Sequence, residues 1–263
     1  MRTKLSDREL PVYTKGEERF NMISHIVGGA VGIAALVLCI VRSALHHNGY
    51  GVAGSIVYGI SMIILYTMSS IYHGLRNGMA KRVMQVLDHC TIYLLIAGTY
   101  TPILLSAMRP IDPVTSWVLL GVVWGLAALA ITLTAIDLKR FRVFSMICYI
   151  GMGWTIIFKV GLLIQAVGWA GFWLILIGGV CYTAGAVLYG MGRTKRYMHS
   201  IFHLFVLAGS ILHLLAILIY VLWTPKRCGE HVAALSFDWE LHMVIAQWVR
   251  PAFDWKAAFW CCG

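Results

Sequence analysis

Four side chains that can bind a metal ion lie in or beside long apolar stretches of the sequence: His73, Asp88, His199 and His203. His199 and His203 are four residues apart and therefore share one face of a helix. An ionisable group in the hydrocarbon core of a membrane costs roughly 2.5–3.5 kcal/mol on the insertion scale, so four of them require a physical reason. A bound cation provides one, because it offsets the burial of a carboxylate and holds imidazoles in their neutral form.

Zinc is the metal that these residue types favour, because several imidazoles without a thiolate are typical of an open zinc site. His73, His199 and His203 are the predicted ligands, and three protein ligands leave a fourth position for water, as in catalytic zinc sites. Asp88 is predicted to hold or deprotonate that water, or to orient a histidine. Ser69 lies four residues before His73 on the same helix face and is predicted to hydrogen-bond the water or a substrate oxygen.

The composition indicates an integral membrane protein built from helices. Of the 263 residues, 60% are hydrophobic and 12% are charged, which is outside the range of soluble domains. Seven apolar runs are close to the roughly 20 residues that a helix needs to cross a bilayer, whereas strands of a membrane barrel are about half that length. We therefore predict an all-α, seven-transmembrane helix bundle with spans at 23–43, 50–72, 84–107, 115–136, 143–165, 169–191 and 199–223.

The distribution of Lys and Arg predicts the orientation of the bundle, because cytoplasmic loops carry an excess of both. Five precede the first span and three lie in each of the second, fourth and sixth loops, whereas the first and third loops hold only Arg42 and Arg109 and the fifth holds none. We predict a cytoplasmic N-terminal segment (1–22), a membrane domain (23–223) and an external tail (224–263) that is interfacial or disordered. The net charge of +10 then reflects topology and contact with anionic headgroups at the cytoplasmic face, and no nucleic-acid partner is expected.

This topology brings the four residues with metal-binding side chains to one membrane face. His73 ends the second span, Asp88 lies near the start of the third, and the seventh begins with the two remaining histidines. Each residue alone has a simpler explanation: the histidine pair can cap a helix or contact headgroups, and Asp88 can pair with a nearby Lys or Arg. Their common depth favours a single site.

Four motifs around these positions also resemble those of a known family. The motifs are E-E-R-F-N-M-I-S-H at 17–25, S-S-I-Y-H at 69–73, L-D-H-C-T-I-Y at 87–93 continued by A-G-T-Y-T-P at 97–102, and H-S-I-F-H at 199–203. In order and spacing they are similar to those of the haemolysin III family, the bacterial branch of the progestin and adipoQ receptor superfamily, over about 15–222. The resemblance implies seven helices with the N-terminus inside and a zinc ion on His73, His199 and His203. It also implies a water-bridging role for Asp88, with Ser69 beside it.

Three functions are compatible with these features. The leading hypothesis is a zinc-dependent hydrolase in the cell membrane that acts on a lipid amide or ester, because a buried open zinc site beside a carboxylate suits that chemistry. The superfamily's relation to alkaline ceramidases adds to this hypothesis by analogy. The second is a receptor-like or membrane-homeostasis protein with structural zinc. The third is a pore-forming cytolysin. A pore would need a stripe of polar residues along several helices, and the first, fourth and sixth spans lack one.

Overall fold

A computed structural model describes residues 5–7, 9–192 and 195–222 of the chain. Within these ranges the chain is mostly helical and no strand occurs, which confirms the all-α prediction. The predicted tail 224–263 lies outside the described residues. The α-helices are, in chain order, α1 (Lys15–Leu45), α2 (Gly49–Gly74), α3 (Met79–Pro102), α4 (Pro113–Ile136), α5 (Arg142–Gly153), α6 (Val160–Met191) and α7 (Met198–Ala216).

Shorter helical pieces extend or join the α-helices. Helix α3 ends at Pro102, which lacks the backbone N–H that an α-helical ladder uses, and the chain continues as a π-helix over Ile103–Met108. A second π-helix, Ile217–Val221, follows α7. A 3-10 turn, Thr155–Lys159, separates α5 from α6. Inside α6 the helical conformation is broken at Gly168, which has φ 68° and ψ 172°.

Six helical stretches of the described chain are long and apolar enough to cross a membrane. Four contain one predicted span each, Met198–Val221 covers 199–221 of the predicted span 199–223, and Arg142–Met191 contains the predicted spans 143–165 and 169–191. Gly168 lies between those two predicted spans. The helical membrane architecture is therefore confirmed, and the count of seven crossings stays a prediction. The six stretches are Lys15–Leu45, Gly49–Gly74, Met79–Met108, Pro113–Ile136, Arg142–Met191 and Met198–Val221.

Close packing between neighbouring helices holds the bundle together. Helix α1 packs along α2, α2 along α3 and α6 along α7, while α1 also contacts α7. Glycine permits the closest approach of α1 and α2, because a Cβ atom at Gly59 would lie 2.6 Å from the Cβ atom of Leu36. Large side chains such as Tyr58, Met62 and Tyr66 are fully buried in the core.

Helix α1 begins earlier than the first predicted span, which was placed at 23. The hydroxyl of Thr14 accepts a hydrogen bond from the backbone N–H of Glu17, and the backbone N–H of Thr14 donates to the Glu17 carboxylate. This reciprocal capping box gives a hydrogen-bond partner to two backbone N–H groups, those of Thr14 and Glu17, and so fixes the start of the helix. Hydropathy identified the apolar part of α1, but not its charged first turns, which carry several residues of the site described below.

Candidate metal centre

The Nε2 atoms of three histidines converge where α2 ends and α7 begins. His73 lies in the last turn of α2, and His199 and His203 lie in the first two turns of α7. The Nε2 atom of His199 lies 3.4 Å from that of His73 and 3.0 Å from that of His203. All three side chains are buried, and one ligand atom from each lies within 4.8 Å of the other two. The structure thus brings together the three histidines that were predicted as metal ligands.

The arrangement of these nitrogens suits a tetrahedral zinc ion. Two nitrogens that each lie about 2.0–2.1 Å from such an ion are roughly 3.3–3.4 Å apart, close to both observed distances. A neutral imidazole has one N–H and one lone pair, so the Nε2 atom of His199, which faces both other rings, can form a hydrogen bond with only one of them. A metal ion would satisfy all three nitrogens together. The donor set therefore fits zinc.

A partly buried ion pair between Glu18 and Lys81 supports His73 from the side opposite its Nε2 atom. The Nδ1 atom of His73 lies 2.6 Å from Oε2 of Glu18, in the first turn of α1. Because a carboxylate only accepts hydrogen bonds, Nδ1 carries the proton and the lone pair lies on Nε2. The ammonium group of Lys81, only 2% exposed, donates to Oε1 of Glu18 at 2.6 Å and to the carbonyl of Leu75 at 3.0 Å. A carboxylate that fixes the orientation of a histidine is common at zinc sites.

Glu17 connects the start of α1 to the start of α7. Its Oε2 atom closes the capping box with Thr14, and its Oε1 atom accepts a hydrogen bond of 2.7 Å from the backbone N–H of Tyr197. Tyr197 adopts a left-handed conformation, with φ 61° and ψ −8°, immediately before α7. The contact fixes the position at which α7 begins, and therefore the position of His199 two residues later.

Asp88 and Ser69 lie next to the three histidines. Asp88 is in the third turn of α3, further from the helix start than the predicted span at 84–107 placed it. The hydroxyl of Ser69 on α2 faces its carboxylate. Lys81, one of the basic residues considered as a partner of Asp88, instead pairs with Glu18. Asp88 and Ser69 thus lie side by side at the site, and their catalytic roles stay predictions.

An apolar cavity of about 480 Å³ leads away from the site into the bundle. Ser69, Asp88 and His199 line one part of it, and His213 lines another. Because His199 and His213 are fourteen residues apart on one helix, the cavity extends about 21 Å along α7. Its other walls are mainly apolar side chains of α3, α5 and α6. The volume is within the range of roughly 300–1,000 Å³ typical of small-molecule sites.

Comparison with known proteins agrees with the motifs. A sequence model of the family described as Haemolysin-III related matches residues 13–214. The chain belongs to the haemolysin III family. Hemolysin-3 of Bacillus cereus is 39% identical over 210 residues, which are 80% of this chain and 94% of that protein. The Hemolysin-3 homolog of Bacillus subtilis (strain 168) is 35% identical over 214 residues, covering 81% of this chain and 99% of the relative.

The similarity extends to animal proteins of the wider superfamily. The human protein named Monocyte to macrophage differentiation factor is 25% identical over 185 residues, which are 67% of this chain and 74% of that protein. Together with the apolar helical stretches, membership of the haemolysin III family confirms the predicted multi-pass membrane localisation. The matched range 13–214 contains every residue of the candidate centre.

Two groups at the centre of this haemolysin III protein were not recognised from sequence as parts of the site. Lys81 was interpreted as a topology signal and as one of the cations that could pair with Asp88, whereas the structure buries it in the pair with Glu18. Tyr13 precedes the helix, yet its ring stacks on that of His199 with centroids 4.9 Å apart and lines the cavity. Burial raises the pKa of the Tyr13 hydroxyl well above its usual value, so the group is a neutral hydrogen-bond donor at physiological pH.

Proposed function

We propose that this protein is a zinc-dependent hydrolase that cleaves an amide or ester bond of a membrane lipid. The observation that carries the proposal is the Asp88 carboxylate, faced by Ser69, beside three convergent imidazoles at an apolar cavity. A hydrolytic metal site needs an acid–base group within reach of the reacting atoms and a binding site that suits the substrate. The cavity suits acyl chains, and the buried polar cluster suits the bond to be cleaved.

The zinc ligands in this proposal are His73, His199 and His203, each through Nε2. When bound, zinc supplies a Lewis acid that polarises a carbonyl oxygen and lowers the pKa of water toward about 7. The Glu18 carboxylate keeps Nδ1 of His73 protonated, so that its Nε2 lone pair is available as a ligand. Lys81 balances the charge of Glu18, which lowers the cost of placing that carboxylate in a largely buried position.

Asp88 is the proposed acid–base residue. Its carboxylate accepts a proton from the attacking water as the water oxygen bonds to the substrate carbonyl carbon. It then returns the proton to the leaving nitrogen or oxygen as the bond from that atom to the carbonyl carbon breaks, which gives a carboxylic acid and an amine or alcohol. The hydroxyl of Ser69 faces this carboxylate, and its proposed role is to orient Asp88 by donating a hydrogen bond to it.

The proposed substrates and partners are membrane lipids. The cavity is lined mainly by apolar side chains, such as Ile96, Ile150 and Phe172, which match acyl chains rather than water or ions. This lining also argues against a water-filled pore, although two relatives carry the name hemolysin. Basic residues on the flanking loops would hold anionic headgroups near the mouth of the site.

We further propose that the chain crosses the membrane seven times with its N-terminus in the cytoplasm. The stretch Arg142–Met191 has 50 residues, so as one straight helix it would be about 75 Å long, more than twice the roughly 30 Å hydrocarbon core. The break at Gly168 is a suitable place for a reversal between two crossings. With the Lys and Arg distribution, this topology puts the histidine site at the cytoplasmic side.

The test is hydrolysis by the full chain, purified with zinc and reconstituted in bilayers that contain ceramides, other acyl-amides or phospholipids. Asp88→Asn removes the acid–base group and keeps the shape, so we expect the rate to fall about 10²–10⁴-fold while zinc is retained. Asp112→Asn is the matched control, because Asp112 caps α4 outside the site and Asn caps equally well.

Three outcomes of this test are decisive. Loss of hydrolysis in Asp88→Asn but not in Asp112→Asn supports the proposal. Equal rates in the wild type and Asp88→Asn would refute the role of Asp88. The absence of hydrolysis of every lipid by zinc-loaded wild type would refute the enzyme and favour a receptor-like or homeostatic protein with structural zinc.

A further inference from the structure

Two polar side chains on α1 are buried without a hydrogen-bond partner among the described residues. Asn21 is 0% exposed and His25 is 4% exposed, and neither the amide of Asn21 nor either ring nitrogen of His25 forms a hydrogen bond there. The two residues are one turn apart and therefore lie on one face of α1. Neither residue has a role in the acid–base chemistry proposed above.

That face of α1 lies against His203. The ring centroids of His25 and His203 are 4.0 Å apart, in an edge-to-face arrangement with an interplanar angle of 65°. The backbone carbonyl of Asn21 also faces the ring of His203. Within the described chain, Nδ1 of His203 and the hydroxyl of Ser200, one turn earlier on α7, likewise lack a hydrogen-bond partner. Polar atoms of both helices are therefore concentrated on either side of one short α1–α7 contact.

This concentration of polar atoms has a large energetic cost unless they are satisfied. A buried polar group without a hydrogen bond costs about 1–3 kcal/mol, and the whole stability of a folded protein is about 5–15 kcal/mol. Apolar residues at the same positions would avoid the cost entirely. A buried water molecule typically makes about three hydrogen bonds to groups of this kind, and it both donates and accepts.

We propose that the α1–α7 contact is a buried hydration site, in which at least one ordered water molecule joins Asn21 and His25 to Nδ1 of His203. His25 is outside the group of ligand atoms that lie within 4.8 Å of one another, so its role is to position a ligand rather than to be one. The water accepts the Nδ1 proton of His203, which leaves the Nε2 lone pair directed at the other two histidines.

The hydration site complements the Glu18–Lys81 ion pair, which lies on the other side of the three predicted ligand histidines. His73 is held through Nδ1 by the charged Glu18, whereas His203 would be held through Nδ1 by neutral groups. The inference rests on the metal site of the proposed function, but it does not depend on any hydrolytic activity. It assigns Asn21 and His25 as positioning residues for His203.

Cobalt binding by the full chain in lipid nanodiscs tests the inference, because Co²⁺ gives a visible absorption spectrum that reports the geometry of its ligands. Asn21→Leu and His25→Phe, made separately, remove the polar groups and keep similar volume. We expect each to weaken Co²⁺ binding about 10–100-fold, as for other residues that orient metal ligands, and to change the spectrum. His25→Gln keeps a donor and an acceptor, and should restore most of the affinity and the wild-type spectrum.

His213→Phe is the matched control. His213 is a partly buried histidine of the same helix whose Nδ1 also lacks a partner in the described chain. Its Nε2 atom, however, forms a hydrogen bond with the carbonyl of Ile175 and does not face His73 or His199. Its replacement should leave Co²⁺ affinity unchanged. An equal loss in His213→Phe would identify a general packing effect and overturn the inference.

The remaining outcomes are also decisive. Wild-type affinity and spectrum in both Asn21→Leu and His25→Phe would overturn the hydration site and leave the metal site intact. Failure of the wild type to bind Co²⁺ would overturn the metal site itself, and the inference with it. If one of the two apolar variants does not fold, the Co²⁺ affinity and spectrum of the other, compared with those of His25→Gln, still show whether the polar groups position His203.

Discussion

The ion pair behind His73 allows the most specific perturbation of the centre. Glu18 accepts hydrogen bonds from Nδ1 of His73 and from Nζ of Lys81, both at 2.6 Å. Glu18→Gln preserves the size of the side chain and an oxygen for one of these contacts, but it removes the negative charge. His73 then loses the carboxylate that raises its basicity as a ligand, and Lys81 loses its counter-charge.

Two separate effects are expected from Glu18→Gln. Loss of a group that orients a metal ligand weakens metal binding about 10–100-fold, which corresponds to roughly 1.4–2.7 kcal/mol. Removing one partner of a fully buried pair destabilises a protein by about 3–5 kcal/mol. The side chain of Glu18 is 20% exposed, so solvent screening places the expected loss of stability at or below the lower end of that range.

A second substitution separates these effects. Lys81→Met in the Glu18→Gln background removes the uncompensated ammonium group, so stability should recover while metal affinity stays low. Metal affinity is measured by competition with a chelator, and stability by unfolding of the apoprotein. Glu9→Gln removes the same charge from an exposed residue near the same end of the chain and should change neither quantity.

Zinc affinity decides whether the Glu18 carboxylate positions His73. If Glu18→Gln binds zinc as tightly as Glu9→Gln, the carboxylate does not position His73. If the double variant regains full zinc affinity, the effect of Glu18→Gln came from the uncompensated charge of Lys81 and not from the loss of support for the histidine.

Two further predictions concern topology and packing. With the N-terminus in the cytoplasm, an impermeant thiol reagent added outside intact cells should label a cysteine introduced at Asn48 and not one introduced at Asn77; the reverse pattern would invert the topology. Gly59→Val should destabilise the bundle by about 1–3 kcal/mol, because its Cβ atom would lie 2.6 Å from that of Leu36. Gly121→Val, which meets nothing within 4 Å, should have little effect, and equal losses in the two variants would contradict the packing argument.

Much of the fold was predictable from sequence because the bilayer sets the length of its helices. The apolar runs located the helical stretches, and Gly168 lies in the short gap between two predicted spans. Hydropathy could not find the true start of α1 at Lys15, because that start depends on the capping box between Thr14 and Glu17. It also gave no sign of the 3-10 turn at Thr155–Lys159, whose residues remain apolar enough to continue a span.

The centre was predictable only in part. The i, i+4 spacing of His199 and His203 and their shared depth with His73 were visible in the sequence. The supporting residues were less visible, because the sequence does not distinguish a charged residue that pairs within the bundle from one that contacts a lipid headgroup. Lys81 is the clearest case: it contributes to the positive-inside pattern and is also buried against Glu18. Tyr13 stacks on His199, but it lies in the non-helical segment before α1. Helical spacing in the sequence could therefore not predict this contact.

Metal content tests the central claim most directly, since the proposed chemistry requires zinc on the three histidines. Elemental analysis of the purified full chain should find about one zinc ion per molecule. His203→Ala should lose most of it, while His213→Ala, a change of the same kind further along α7, should keep it. A wild type without zinc, or a His203→Ala variant that keeps its full zinc content, would contradict the account.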